Sequence, residues 1–256
     1  MKVLVCSYKM KDLVVWYFSE YIRRVFLPEI SEKHDVVYLF EASYTRENVE
    51  KYLREWRPDV VIFAAHGKET YVTGYNYQPV IKACENDHLL GGKKVDAISC
   101  LTAKELGVSA IAKGALVYIG FLEPAYLVIC ADWSGDVTNC PLVDTYDPLQ
   151  DPYAWPFLDT FFYPAYLLVQ GKKYEDIYKL TMDRYDYWID WALDKSAEDP
   201  CYRDVAECLM WNKKYFTIYS SGQEEERYYY AQSVAGALGV LSLIVIPLAL
   251  IEERKK

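Results

Sequence analysis

The sequence predicts an α/β fold with a mostly parallel sheet, and three observations carry that expectation. Short apolar runs alternate with stretches of helical period from the first residues onward, the pattern of β-α-β units joined by right-handed crossovers. Two of the runs, Asp59-Val-Val-Ile-Phe-Ala-Ala65 and Val95-Asp-Ala-Ile-Ser99, are dominated by apolar residues instead of alternating with polar ones, as strands covered on both faces are. Finally, 256 residues with 52% hydrophobic and 25% charged side chains can bury the core of one large α/β domain or two small ones, and exclude a disordered chain.

Taken in order, Lys2-Val-Leu-Val-Cys6 is a first strand. It is too short an apolar run for a signal peptide. From Asp12 to Leu27 the residues Leu13, Trp16, Tyr17, Tyr21 and Val25 recur with helical period, and Pro28 is expected to close the helix. Val36 to Phe40 is a second strand. Thr45 can cap a helix whose Val49, Leu53 and Trp56 share a face and which ends before Pro58. The run ending at Ala65 is the third strand. Between His66 and Cys100 the segments Tyr71-Val-Thr-Gly74 and Gln78-Pro-Val-Ile81 read as a hairpin-like excursion, followed by a short helix and the turn Gly91-Gly92. His88 has a polar setting and reads as a surface residue, whereas Cys6 and Cys84 read as small core hydrophobes.

The third strand and the strand from Val95 each end on a reactive side chain, His66-Gly67 and Cys100. Side by side, they would bring imidazole and thiol together at the carboxyl edge of the sheet, where open α/β sheets bind ligands. That pair is the minimum for nucleophilic catalysis, since imidazole raises the thiolate fraction and later protonates the leaving group. Thr102-Ala-Lys-Glu105 fits a capping box. A helix beginning there would turn its positive end toward the sulfur and favour thiolate. Gly114 fits a left-handed cap at the end of this helix, and Ala115 to Gly120 forms the next strand.

The ordered set Ala64-Ala-His-Gly67, Ala97-Ile-Ser-Cys100 and Lys113-Gly-Ala-Leu-Val-Tyr-Ile-Gly120 resembles the caspase-like cysteine peptidases of clan CD, most closely the gingipain-like and CHAT-like members. The resemblance covers roughly residues 1 to 222. It implies a three-layer sandwich around a six-stranded, mostly parallel sheet with helices on both faces, and an antiparallel last strand at the sheet edge. It also implies that Cys100 is the nucleophile, His66 the general acid, and the backbone amides of Gly67 and Cys100 the oxyanion donors. A protein or peptide is the implied substrate, with no cofactor and no metal. Members commonly recognise a charged side chain beside the cut. The candidates here are Lys9, Lys11 and Asp12 after the first strand, and Glu123 and Asp132 after the strand ending at Gly120, with Glu123 favouring a basic substrate. The competing readings are a catalytically silent caspase-like module for signalling or assembly, and a flavodoxin-like binder, which lacks a phosphate-binding glycine loop after any strand.

Beyond Gly120 the segment from Asp132 to Pro152 is rich in Asp, Pro and Gly and reads as an irregular loop. It could stay plain surface, wall a cleft, be cut on activation, or hold a cation through Asp132, Asp136, Asp144, Asp147 and Asp151, though no EF-hand spacing is present. Tyr153 to Val169 and Lys173 to Leu193 are helical. The stripe Tyr174, Ile177, Tyr178, Tyr185, Trp188 and Ile189 reads as a packing face. A short helix after Pro200 leads to the final strand, Lys214 to Tyr219. A net charge of −9 argues against nucleic acid as a partner. Seven cysteines without CxxC pairs point to reduced thiols in a cytosolic compartment, Cys201 and Cys208 being structural. Residues 228–251 are a separate hydrophobic segment. It is long enough to span a bilayer and is expected to anchor the domain to a membrane on its cytoplasmic face, or else to form a buried or oligomerising helix. The oligomeric state is open.

Overall fold

Six of the apolar runs pair into one sheet. The computed structural model describes residues 1–9, 13–130 and 147–221. In chain order the elements are β1 (Lys2–Ser7), α1 (Leu13–Tyr21), α2 (Leu27–Ser31), β2 (Asp35–Phe40), α3 (Arg46–Lys51), β3 (Val60–Ala64), β4 (Gly67–Lys68), β5 (Tyr71–Thr73), β6 (Pro79–Lys82), β7 (Lys94–Ile98), α4 (Val108–Ala112), β8 (Val117–Phe121), α5 (Trp155–Val169), α6 (Tyr174–Lys195), α7 (Cys201–Tyr215) and β9 (Phe216–Ser220). The main sheet runs β2-β1-β3-β7-β8-β9. Its first five strands are parallel, and β9 lies antiparallel to β8 at the edge. The small strands β4, β5 and β6 form a separate antiparallel sheet, the excursion expected between His66 and Cys100.

Period-two side-chain alternation divides the sheet into two cores. Val3, Val5, Val60, Ile62 and Ala64 face the core closed by α1, α5, α6 and α7. Leu4, Cys6, Val61, Phe63 and Ala65 face the one closed by α3 and α4. Helices on both faces of the sheet give a three-layer sandwich. The stripe of Ile177, Tyr185 and Ile189 on α6 is buried in the first core, as a packing face should be.

Several local expectations are corrected. Pro28 does not end the first helix. The chain passes from α1 through a π-helical turn, Ile22–Phe26, into α2. Pro28 then falls at the start of α2, just past that turn, and the helix runs on through it. The helix after Pro200 is long, 15 residues. Cys84 is exposed with φ +60° in the turn after β6, so it is no core residue. Cys130 is disulfide-bonded, so the thiols are not all reduced, while Cys6, Cys84, Cys100, Cys201 and Cys208 are free. Among the described residues no helix is long and apolar enough to cross a membrane. The hydrophobic segment 228–251, Lys11, Asp12, Asp132, Asp136 and Asp144 lie outside the described residues.

Candidate active site

The sheet register places the imidazole and the thiol. The last β3–β7 pair is Ala64 opposite Ile98, and the Ala65 amide still reaches the Ile98 carbonyl at 3.3 Å. His66 and Cys100 each lie two residues beyond that pair, on neighbouring strands about 4.8 Å apart. The turns that carry them touch. A Cβ built on Gly67 would stand 2.5 Å from Thr102 Cγ2, 2.8 Å from the Cys100 carbonyl oxygen and 3.0 Å from Ser99 Cβ. Only glycine lets the His66 turn approach the Cys100 turn this closely.

Each turn is fixed by its own contacts. The Thr73 amide and hydroxyl both donate to the His66 carbonyl at 2.9 Å. Because the Thr73 proton is engaged there, Tyr8 donates its phenolic proton to Thr73 Oγ1 at 3.1 Å. The Tyr77 ring lies 5.6 Å from the imidazole, tilted by 31°. On the other turn, Leu101 holds φ +65°, a conformation that costs a branched residue on the order of 1–3 kcal/mol and persists only where its surroundings enforce it. Thr102 Oγ1 donates back to the Ser99 carbonyl at 3.2 Å. Thr102 therefore makes no side-chain cap for the π-helical turn Ala103–Gly107 that leads into α4. The helix starts where the sequence placed it, but the capping box does not form.

The thiol is covered by the chain after β8. Cys100 Sγ points its proton at the Ala125 carbonyl, 3.9 Å away. That loop is clamped by α7: the fully buried Asn212 accepts from the Tyr126 amide and donates to the Tyr126 carbonyl, both at 2.8 Å. Trp211 Nε1 donates to the Pro124 carbonyl at 2.9 Å. Sequence reasoning missed Asn212, and nothing in the local sequence marks it, because its role depends on packing α7 against a loop 86 residues earlier.

A cavity of about 30 Å³ runs beside the pair, lined by His66, Ser99 and Cys100 and walled by apolar side chains that include Val14, Phe18, Phe121, Leu127 and Phe161. Burial here pushes the Cys100 thiol above its ordinary value. This runs opposite to the expected preference for thiolate, because desolvation of the sulfur outweighs the backbone hydrogen bonds that lower it.

The charged rim residues do not converge on the pair. Glu123 is 3.0 Å from Lys104, which is also 3.3 Å from Glu69. Lys9 stands 4.0 Å from Glu20 and over the Trp16 ring. Of the loop aspartates, Asp147 pairs with Arg24 at 2.6 Å. Asp151 is buried and accepts from the amides of Cys130, Tyr153 and Ala154 and from the Tyr17 hydroxyl, so its oxygens bind protein donors and leave no room for a cation. Among the described residues no group of three or more His, Cys, Asp and Glu side chains is placed to hold a metal ion. No family model matches the chain, and no curated protein matches it.

Proposed function

We propose that this chain is a cysteine endopeptidase of caspase-like, clan CD type. The observation that supports it most is that His66 and Cys100, each two residues past the paired strand ends Ala64 and Ile98, line one cavity, with Gly67 seated against the Cys100 turn. Cys100 Sγ attacks the scissile carbonyl. Because burial raises the thiol above its ordinary value, its proton passes to His66 during the attack and not before it. The amides of Gly67 and Cys100 receive the oxyanion, and His66 then protonates the leaving amine. Water hydrolyses the resulting thioester. With its walls apolar and Glu123 held by Lys104, the cavity offers no free counter-charge for a basic side chain, so charge selection is left to rim residues outside it. Attachment to a membrane through residues 228–251 is part of this reading, and fractionation without detergent checks it.

The test is hydrolysis by Cys100→Ala and His66→Ala. Each should lose at least about three orders of magnitude of peptide cleavage, the scale of removing one member of a nucleophile–base pair, with the melting curve unchanged. Retained cleavage by Cys100→Ala would discard the nucleophile assignment. A second reading, a catalytically silent module, draws on the water-sized cavity and the raised thiol. Iodoacetamide separates the two: in a silent module Cys100 alkylates no faster than a free peptide thiol.

A further inference from the structure

Ser99, next to the cysteine, has its hydroxyl committed to nothing. It is 4% exposed, and its Oγ has no hydrogen-bond partner. A buried hydroxyl left without a partner costs about 1–3 kcal/mol. Alanine would occupy the same Cβ position against Gly67 and Thr102 without that cost. Ser99 also lines the cavity shared by His66 and Cys100, whose volume of about 30 Å³ is enough to admit a water molecule. A buried water needs two to four polar partners. The apolar side chains supply none, and the residues with polar side chains that line the cavity are His66, Ser99 and Cys100.

We propose that Ser99 is a positioning residue that holds the water which hydrolyses the acyl-enzyme. The proposal rests on the peptidase reading and concerns its second half. Once the acyl group is bonded to Cys100 Sγ, the water held by Ser99 attacks the thioester carbon and gives a proton to His66. The carbon–sulfur bond then breaks, the acid departs, and the sulfur takes that proton back. Ser99 forms no bond to substrate. It fixes the line of approach of the water, and it leaves the first half, attack by the thiol, unaffected.

The probe is p-nitrophenyl acetate, small enough to acylate a thiol in a narrow site. Wild-type protein should release a burst of nitrophenolate matching its Cys100 content and then turn over steadily. Ser99→Ala should keep the burst but slow the steady phase about tenfold or more, the effect of one lost hydrogen bond in the transition state. Acetyl-Cys100 should then accumulate in its mass spectrum. Hydroxylamine, a nucleophile that needs no bound water, should restore turnover in the variant more than in the wild type, which a merely structural defect would not allow. Ser99→Gly should behave alike, so a folding failure of one variant leaves the other as the test. An unchanged steady phase, or no preferential rescue, overturns the role of Ser99 alone. A wild-type protein that shows neither burst nor adduct removes the peptidase reading, and this proposal with it.

Discussion

On one face of the sheet Phe18, Tyr21 and Phe26 meet Phe162 of the 15-residue α5 ring to ring. On the other, shorter helices that are each half π-helical, α3 with Tyr52–Trp56 and Ala103–Gly107 with α4, are tied down by polar side chains. There Arg46 and Arg54 pair with Glu50, Asn86 bonds Glu50 as well as the backbone of Val80 and Lys82, and Lys113 reaches the buried Asp87. Long amphipathic helices hold by burial alone. Helices this short are marginal on their own and need their ends and partners fixed. The contrast accounts for part of the aromatic excess in a chain with 25 tyrosines: rings fill the contact between the helices on the first face, at large buried area per residue. It also predicts that the two faces answer differently to mutation and to acid.

The largest difference should come from truncating a ring. Phe162 is fully buried and contacts three other rings. Phe162→Ala should cost about 4 kcal/mol, and at least about 1 kcal/mol more than Leu53→Ala on the polar-stitched face. Equal losses in urea unfolding would erase the distinction.

Next comes a carboxylic acid set into the aromatic side. Asp96 lies between Ile62 and Ile119 in the sheet register, is 2% exposed, and has Oδ2 unpartnered. Burial raises its carboxyl well above the ordinary value and keeps it protonated. An acid raised in the folded state costs stability wherever the unfolded chain has already ionised, so the cost grows as pH rises above the ordinary aspartate range and disappears below it. Asp96→Asn should therefore gain on the wild type by about 2 kcal/mol between pH 3 and pH 7. A difference independent of pH would show that Asp96 is not a buried neutral acid.

The smallest effect should appear on the stitched face, with the opposite sign. Burial alone would raise the Glu50 carboxyl, but Arg46, Asn86 and Arg54 together hold it at about 2. Its contribution is complete above the ordinary glutamate range and is lost as pH falls toward 2. With both arginines well exposed, Glu50→Gln should cost only about 1 kcal/mol at neutral pH. The gap from wild type should close on acidification. A gap that persists at pH 2 means that shape, not charge, holds α3.

The strands and the meeting of the His66 and Cys100 turns were legible because they depend on local pattern. An apolar run that stops at His66 or Cys100 shows where a parallel strand ends, and six such runs make the sheet. What depended on distant partners was not legible. The thiol was expected to ionise because only the helix end after it could be read, whereas the walls that raise it come from residues as far apart as Val14 and Phe161. The capping box failed for a related reason: Thr102 has the right spacing, but the turn forced by Leu101 aims its hydroxyl back at Ser99. Pro28 looked like a stop because a π-helical turn that can accommodate it leaves no mark in the apolar period. Glu123 looked available because Lys104 lies 19 residues earlier in the chain, on the far side of β8.

The antiparallel course of β9 sets the direction in which the domain is presented. Ser220 pairs with Val117, the first residue of β8, and the Ser221 amide bonds the Leu116 carbonyl, so the described chain ends at the amino edge of the sheet. The cysteine stands at the opposite edge, one strand length or about 17 Å away. A pull applied at Ser221 therefore acts on the edge of the sheet opposite the one that carries Cys100.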